Sequence, residues 1–182
     1  MKILEAGLDG IKIFEPDVFG DSRGFFMETW QEQRYTAAGA IGHFVQDNVA
    51  FSKRGVLRGL HYQFPNPQAK LVYALYGEVF DVAVDIRKGS PTFGKWASVI
   101  LSAENRRQVY IPPGFAHGYY VLSKRALVAY KCDDYYSSRA EHSIFWNDGD
   151  IGVQWPSQNP VVSEKDAKAP RLAQLDKSHL PE

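Results

Sequence analysis

Residues 77–91 read GEVFDVAVDIRKGSP, and their alternation decides the fold. Phe80, Val82, Val84 and Ile86 fall on one side of an extended chain, and Val79, Asp81, Ala83 and Asp85 on the other. Period two over eight residues is the signature of a strand, and Lys88-Gly89-Ser90-Pro91 closes it with turn chemistry. Outward from this segment the same pattern recurs. WASVILSAEN, RRQVYIPPG, GYYVLS, ALVAYKCDDYYS and HSIFWND are further short strand candidates. Their spacing, roughly 8–12 residues, is that of a sandwich or barrel. The best helix signal is ETWQEQRYTAAG, Glu28 to Gly39, which ends on a glycine suited to a C-cap. Short strands with almost no crossover helices predict an all-β, antiparallel jelly-roll barrel with a few short helices. The chain of 182 residues reads as one domain (1–182). Its polar last segment, 157–182, loses the alternation and is expected to fold back near the active site.

Composition narrows the partners. Lys plus Arg and Asp plus Glu balance at 21 each, so no net field draws nucleic acid or an anionic membrane. An anionic partner must be met by local cations. The single cysteine, Cys132, excludes an intramolecular disulfide and fits a reducing compartment. The start, MKILEAGLDGIKIFEP, has neither a long apolar run nor a cleavage signal, and nothing approaches the ~20 apolar residues of a membrane span. A cytoplasmic location is expected. Aromatic residues make up 14%, favouring strands and stacking surfaces.

Three constellations carry chemistry. In VLRGLHYQF, residues 56–64, a histidine and an arginine interrupt an apolar strand. His61 shares a face with Leu57, Gly59 and Gln63, whereas Arg58 has the wrong parity unless a bulge at Gly59 re-aims it. Taken alone this pair reads as a structural histidine beside a solvated arginine. Next, Pro112-Pro113-Gly114-Phe115-Ala116-His117 sets a histidine at the start of a strand and resembles the second motif of the cupin jelly rolls. With Gln63 where a cupin pair would carry its second histidine, only two histidines can converge, which favours a metal-free barrel. Last, Val128, Tyr130 and Cys132 share one face of their strand. If that face is interior, the Tyr130 hydroxyl points into the cavity, opposite a histidine base.

The strings DSRGFFMETW, QDNVAFSKRGVLRGLHYQ, GEVFDVAVDIRKGSPTFGKW, LSAENRRQVYIPPGFAHGYYVLS, YKCDDYYS and IFWNDGDIGVQWP, in this order, resemble the dTDP-4-dehydrorhamnose 3,5-epimerase family from about Ile11 to Pro170. The resemblance implies a cupin-type homodimer that works without metal or redox cofactor on a dTDP-linked 4-keto-6-deoxy sugar. It also implies roles. His61 would be the base, Asp166 of SEKDAKAP its orienting carboxylate, Lys70 the cation at the keto oxygen, and Tyr130 the acid. Arg23, Glu28, Gln46, Asn48, Arg58, His117 and Glu141 would contact the nucleotide sugar, with Tyr136 stacked on thymine. Arg23 and Arg58 suit the diphosphate, because guanidinium matches phosphate oxygens bidentately. Asp81 is a candidate to orient His117. A single-site C3 or C5 epimerase, a metal-dependent cupin enzyme and a non-catalytic sugar-binding barrel are the competing readings.

Overall fold

The computed structural model describes residues 1–182. Thirteen strands follow one another: β1 (Lys2–Glu5), β2 (Lys12–Glu15), β3 (Val18–Asp21), β4 (Gly24–Met27), β5 (Gln46–Lys53), β6 (Leu57–Gln63), β7 (Lys70–Tyr76), β8 (Glu78–Asp85), β9 (Trp96–Ser102), β10 (Gln108–Ile111), β11 (Phe115–Val121), β12 (Arg125–Cys132) and β13 (Glu141–Ser143). Two short helices, α1 (Glu32–Ala37) and α2 (Glu164–Ala167), complete the regular structure with two 3-10 turns near the end. A six-stranded sheet, β1-β2-β10-β7-β12-β5, faces a five-stranded one, β13-β6-β11-β8-β9, and all pairings within them are antiparallel. This is an antiparallel jelly roll of the cupin type. Hairpin β3–β4 stands apart from both sheets.

The space between the sheets holds one core, in which Val72, Val109 and Val128 of the first sheet meet Val79, Leu101 and Val121 of the second. Each outer face has a core of its own. Over the second sheet, Ile144, Trp146, Trp155, Leu172 and Leu180 cover Val82, Val84 and Ile86. Over the first, Tyr35 of α1 packs with Phe14, Leu71 and Tyr110. Both sides of β8 are therefore buried, where alternation alone anticipates one polar-bearing face. Its two aspartates are hydrogen-bonded: Asp81 to His117, and Asp85 to Arg87, Ser90 and Thr92. A buried carboxylate is tolerated only with such partners.

Helix α1 is shorter than the Glu28–Gly39 span read from the sequence. Gln31 caps it, its side chain accepting from the Arg34 N–H at 2.6 Å, while Trp30 packs against Tyr35 and Phe44 ahead of the first turn. The C-terminal signal acts where expected. Gly39 adopts φ +99°, and the Ala40 N–H reaches back to the Tyr35 carbonyl in a Schellman closure.

Gly59 settles the parity of Arg58. Between β6 and β11, His61 lies opposite His117 and Arg58 opposite Tyr119, so β6 carries one extra residue. Gly59 has φ +127°, and a Cβ there would fall 2.6 Å from the Gly118 Cα. Only glycine allows the two backbones to approach this closely. The bulge returns Arg58 and His61 to the lining of one cavity.

Candidate active site

A cavity of about 360 Å³ opens between the sheets. His61 and Gln63 of β6 stand on one wall; Lys70 of β7 and Tyr130 and Cys132 of β12 stand on the other. Gln46 and Asn48 of β5, with Tyr136 and Glu141, form the mouth. A second cavity of about 300 Å³ shares His61 and Glu141 with the first and adds Arg58, Ser163, Lys165 and Asp166. His61 is thus the joint between the two.

Helix α2 brings the partner of that histidine. Ser163 caps it, accepting from the Asp166 N–H at 3.1 Å, and Asp166 Oδ1 lies 2.6 Å from His61 Nε2. Asp166 is only 3% exposed. Burial pushes its carboxyl up, but the bond to His61, aided by Ser163 and the Gly59 N–H, wins and holds it below the usual carboxylate range. An ionised Asp166 can only accept, so Nε2 is the donor nitrogen, and Nδ1 is the one that carries the lone pair whenever the ring is neutral. Such an imidazole can take a proton from a molecule in the cavity.

The facing wall supplies the complementary groups. Burial pushes the Tyr130 hydroxyl above its ordinary range, so the phenol keeps its proton at neutral pH. Burial pushes Lys70 down, against the pull of Cys132, Asp81 and Glu141. Neither Lys70 nor Arg58 has a carboxylate within ion-pair distance. Arg58 instead donates from Nε to Ser52 Oγ at 3.0 Å. Two cations without ion-pair partners therefore face the joined cavities. At the mouth, the Tyr136 N–H donates to Gln46 Oε1 (2.9 Å) and its hydroxyl to Glu141 Oε2 (3.0 Å), with more than half of its surface exposed.

His117 lies beneath the cavity surface, bonded to Asp81 and directly opposite His61. Arg23 and Glu28 are not brought to the cavities. Arg23 sits at the tip of the β3–β4 hairpin and clasps Asp21 at 2.6 Å, and Glu28 pairs with Arg34 at 3.0 Å. Sequence reasoning passed over Lys165, whose ammonium lies 2.5 Å from Glu141 and ties α2 to the barrel. Its signal was the Ser163-Glu164-Lys165-Asp166 pattern, a capping motif that announces a helix start. No group of three or more His, Cys, Asp or Glu side chains converges to hold a metal ion.

Comparison with known proteins places the chain in a family. Residues 5–174 match the model of the dTDP-4-dehydrorhamnose 3,5-epimerase family. The chain is 52% identical over 178 residues to the dTDP-4-dehydrorhamnose 3,5-epimerase of Shigella flexneri, covering 97% of this chain and 98% of that one. It is 54% identical over 177 residues to the Salmonella typhimurium protein of the same name, covering 96% and 97%. Among solved structures, the dTDP-6-deoxy-D-glucose-3,5-epimerase of Legionella pneumophila, in complex with dTDP-4-keto-L-rhamnose, superposes with a TM-score of 0.97 at 53% identity, covering all of this chain and 97% of that one. The chain belongs to the dTDP-4-dehydrorhamnose 3,5-epimerase family.

Proposed function

We propose that this protein is an isomerase that inverts C3 and C5 of dTDP-4-dehydro-6-deoxy-glucose, giving dTDP-4-dehydrorhamnose, with neither a metal nor a redox cofactor in the chemistry. The observation that carries the reading is the placement of His61 with Asp166 across one cavity from Tyr130 and Lys70. The hydrogens on C3 and C5 are acidic because the C4 ketone flanks both. His61 Nδ1 takes such a hydrogen as a proton, and the C–H electron pair delocalises on to the C4 oxygen as an enolate. Lys70 meets that charge, and a cation held in place before the charge develops often contributes more to the rate than any other single effect. Tyr130 then returns a proton to carbon from the opposite face. Exchange with solvent resets the imidazolium and the phenolate. In a gluco-configured chair the two hydrogens are axial on the same face, so one base and one facing acid serve both centres.

The remaining contacts follow from charge and position. Arg58 and Lys165 face the outer cavity and suit the diphosphate. Gln46, Asn48 and Glu141 line the mouth, and Tyr136 offers an open aromatic face to thymine. Arg23 and Glu28 reach a nucleotide only as residues of a second copy, which supports a homodimer. The exposed Phe19, Phe25 and Phe26 of the same hairpin, and Val49 and Phe51 on edge strand β5, are apolar groups such a contact would cover. No helix is long and apolar enough to cross a membrane.

The test is incubation with the keto sugar nucleotide in D2O, counting deuterons by mass spectrometry beside a His61→Ala variant. Two deuterons, absent from the variant, are expected. One deuteron would make this a single-centre epimerase, and none with the nucleotide still bound would leave a binding barrel.

A further inference from the structure

Arg58 is held in place without being neutralised. Its side chain leaves β6, crosses to β5 of the opposite sheet, and donates from Nε to Ser52 Oγ at 3.0 Å and from Nη2 to the Phe51 carbonyl at 3.4 Å. Ser52 is itself buried, at 4% exposure. A guanidinium carries five N–H donors, so three are left for the outer cavity. The two carboxylates that line this cavity are committed elsewhere, Glu141 to Lys165 at 2.5 Å and Asp166 to His61 at 2.6 Å. Tyr119 lies opposite Arg58 on β11, and its hydroxyl is sealed from solvent with no hydrogen-bond partner. Burial pushes that phenol up, while Ser52 and Arg58 beside it pull it down; the net shift is upward, so it keeps its proton. The ground beneath Arg58 is therefore made of two neutral hydroxyls.

We propose that Ser52 is a positioning residue: it fixes the Arg58 guanidinium in the geometry that receives the diphosphate, and leaves the whole positive charge to that anion. The inference rests on the reading that Arg58 meets the diphosphate of a sugar nucleotide. A carboxylate at position 52 would fix Arg58 more firmly, but a phosphate would then have to compete with it for the cation. An apolar side chain would leave the charge free and the long side chain loose, so that binding would carry the cost of ordering it. A buried neutral acceptor avoids both losses. Strand β5 takes up Nε and one hydrogen of Nη2, so the edge formed by Nη1 and Nη2 is the one that faces phosphate oxygens, and it can meet two of them at once.

Affinities for dTDP and for thymidine, measured by NMR titration of the full chain, test this. Ser52→Ala should weaken dTDP about three- to tenfold, the loss of one hydrogen bond to a charged group near the surface, and leave thymidine unchanged. Ser52→Asp should weaken dTDP further, because its carboxylate pairs with Arg58. In an Arg58→Ala background, Ser52→Ala should have no effect on dTDP, since its influence runs through the guanidinium. Three results would each overturn the role of Ser52: unchanged dTDP affinity in Ser52→Ala, an equal loss for thymidine, or the same loss in both backgrounds. If Ser52→Asp does not fold, the alanine series decides. Arg58→Ala that binds dTDP as the wild type does would sink the diphosphate reading itself, and this proposal with it, whatever the Ser52 variants show.

Discussion

Lys70 shows how one side chain sets a pH limit. In the mechanism we propose, its ammonium must stay charged to meet an enolate, and burial lowers the pH at which it loses its proton. Tyr130 moves the opposite way and holds its proton longer. The alkaline limb of kcat should therefore fall below the ordinary lysine range near 10.4 and belong to Lys70. Activity is lost as pH rises through the lowered pKa. Lys70→Arg, always charged, should shift that limb upward while reducing kcat through misplacement of the cation. An unmoved limb would assign it to another group. Alternation made His61 and Tyr130 legible as candidates, because it decides which side chains face inward, whereas Lys70 entered only through the family resemblance. Alternation could not decide Arg58, whose position depends on one extra residue at Gly59. Nor could it place Arg23 and Glu28, since a hairpin outside both sheets answers to neither sheet's pleat.

Among the elements, the turn between β8 and β9 is held by a single carboxylate. Asp85 is fully buried and accepts from Arg87 Nε and Nη2, from Ser90 Oγ and from Thr92 Oγ1. Burial would raise its pKa, but these donors outweigh it and bring it to about 2. A depressed pKa gives stability that is present above the unfolded value near 3.9 and lost as pH falls through the folded one. The window is pH 4 to 2, and the amount is roughly 2–3 kcal/mol. Urea unfolding should show that decline in the wild type and a smaller one in Asp85→Asn; equal slopes would remove the assignment. The strand itself was plain in the sequence, turn included. Less plain were β1 to β4, four residues each, too short for a period to declare itself. Strand β13 ends sooner than HSIFWND reads: Ile144 still exchanges both backbone hydrogen bonds with Leu60, but the Phe145 N–H turns to the Pro170 carbonyl, and Ile144 and Trp146 pack on the outer face of the sheet.

For the molecule as a whole, the open question is what the exposed phenylalanines of the β3–β4 hairpin meet. A homodimer predicts a solution mass twice the 20.5 kDa of the chain, and a Phe26→Asp variant should run as the monomer. Complementation gives a sharper test. His61→Ala and Arg23→Ala chains, each nearly inactive alone, should on mixing recover about a quarter of the wild-type sites if Arg23 serves the other subunit of a two-fold dimer. No recovery in a confirmed mixed dimer would return Arg23 to its own chain. The β class could be read from the sequence because it is written locally. The three separate cores could not, because they depend on where distant segments come to rest. The pairing of His61 with Asp166 spans 105 residues. At translation rates of about 5–20 residues per second, the ribosome releases the histidine roughly 5–20 s before its carboxylate. The nascent chain thus carries His61 without its carboxylate partner through most of its synthesis, and the pair forms only when α2 emerges.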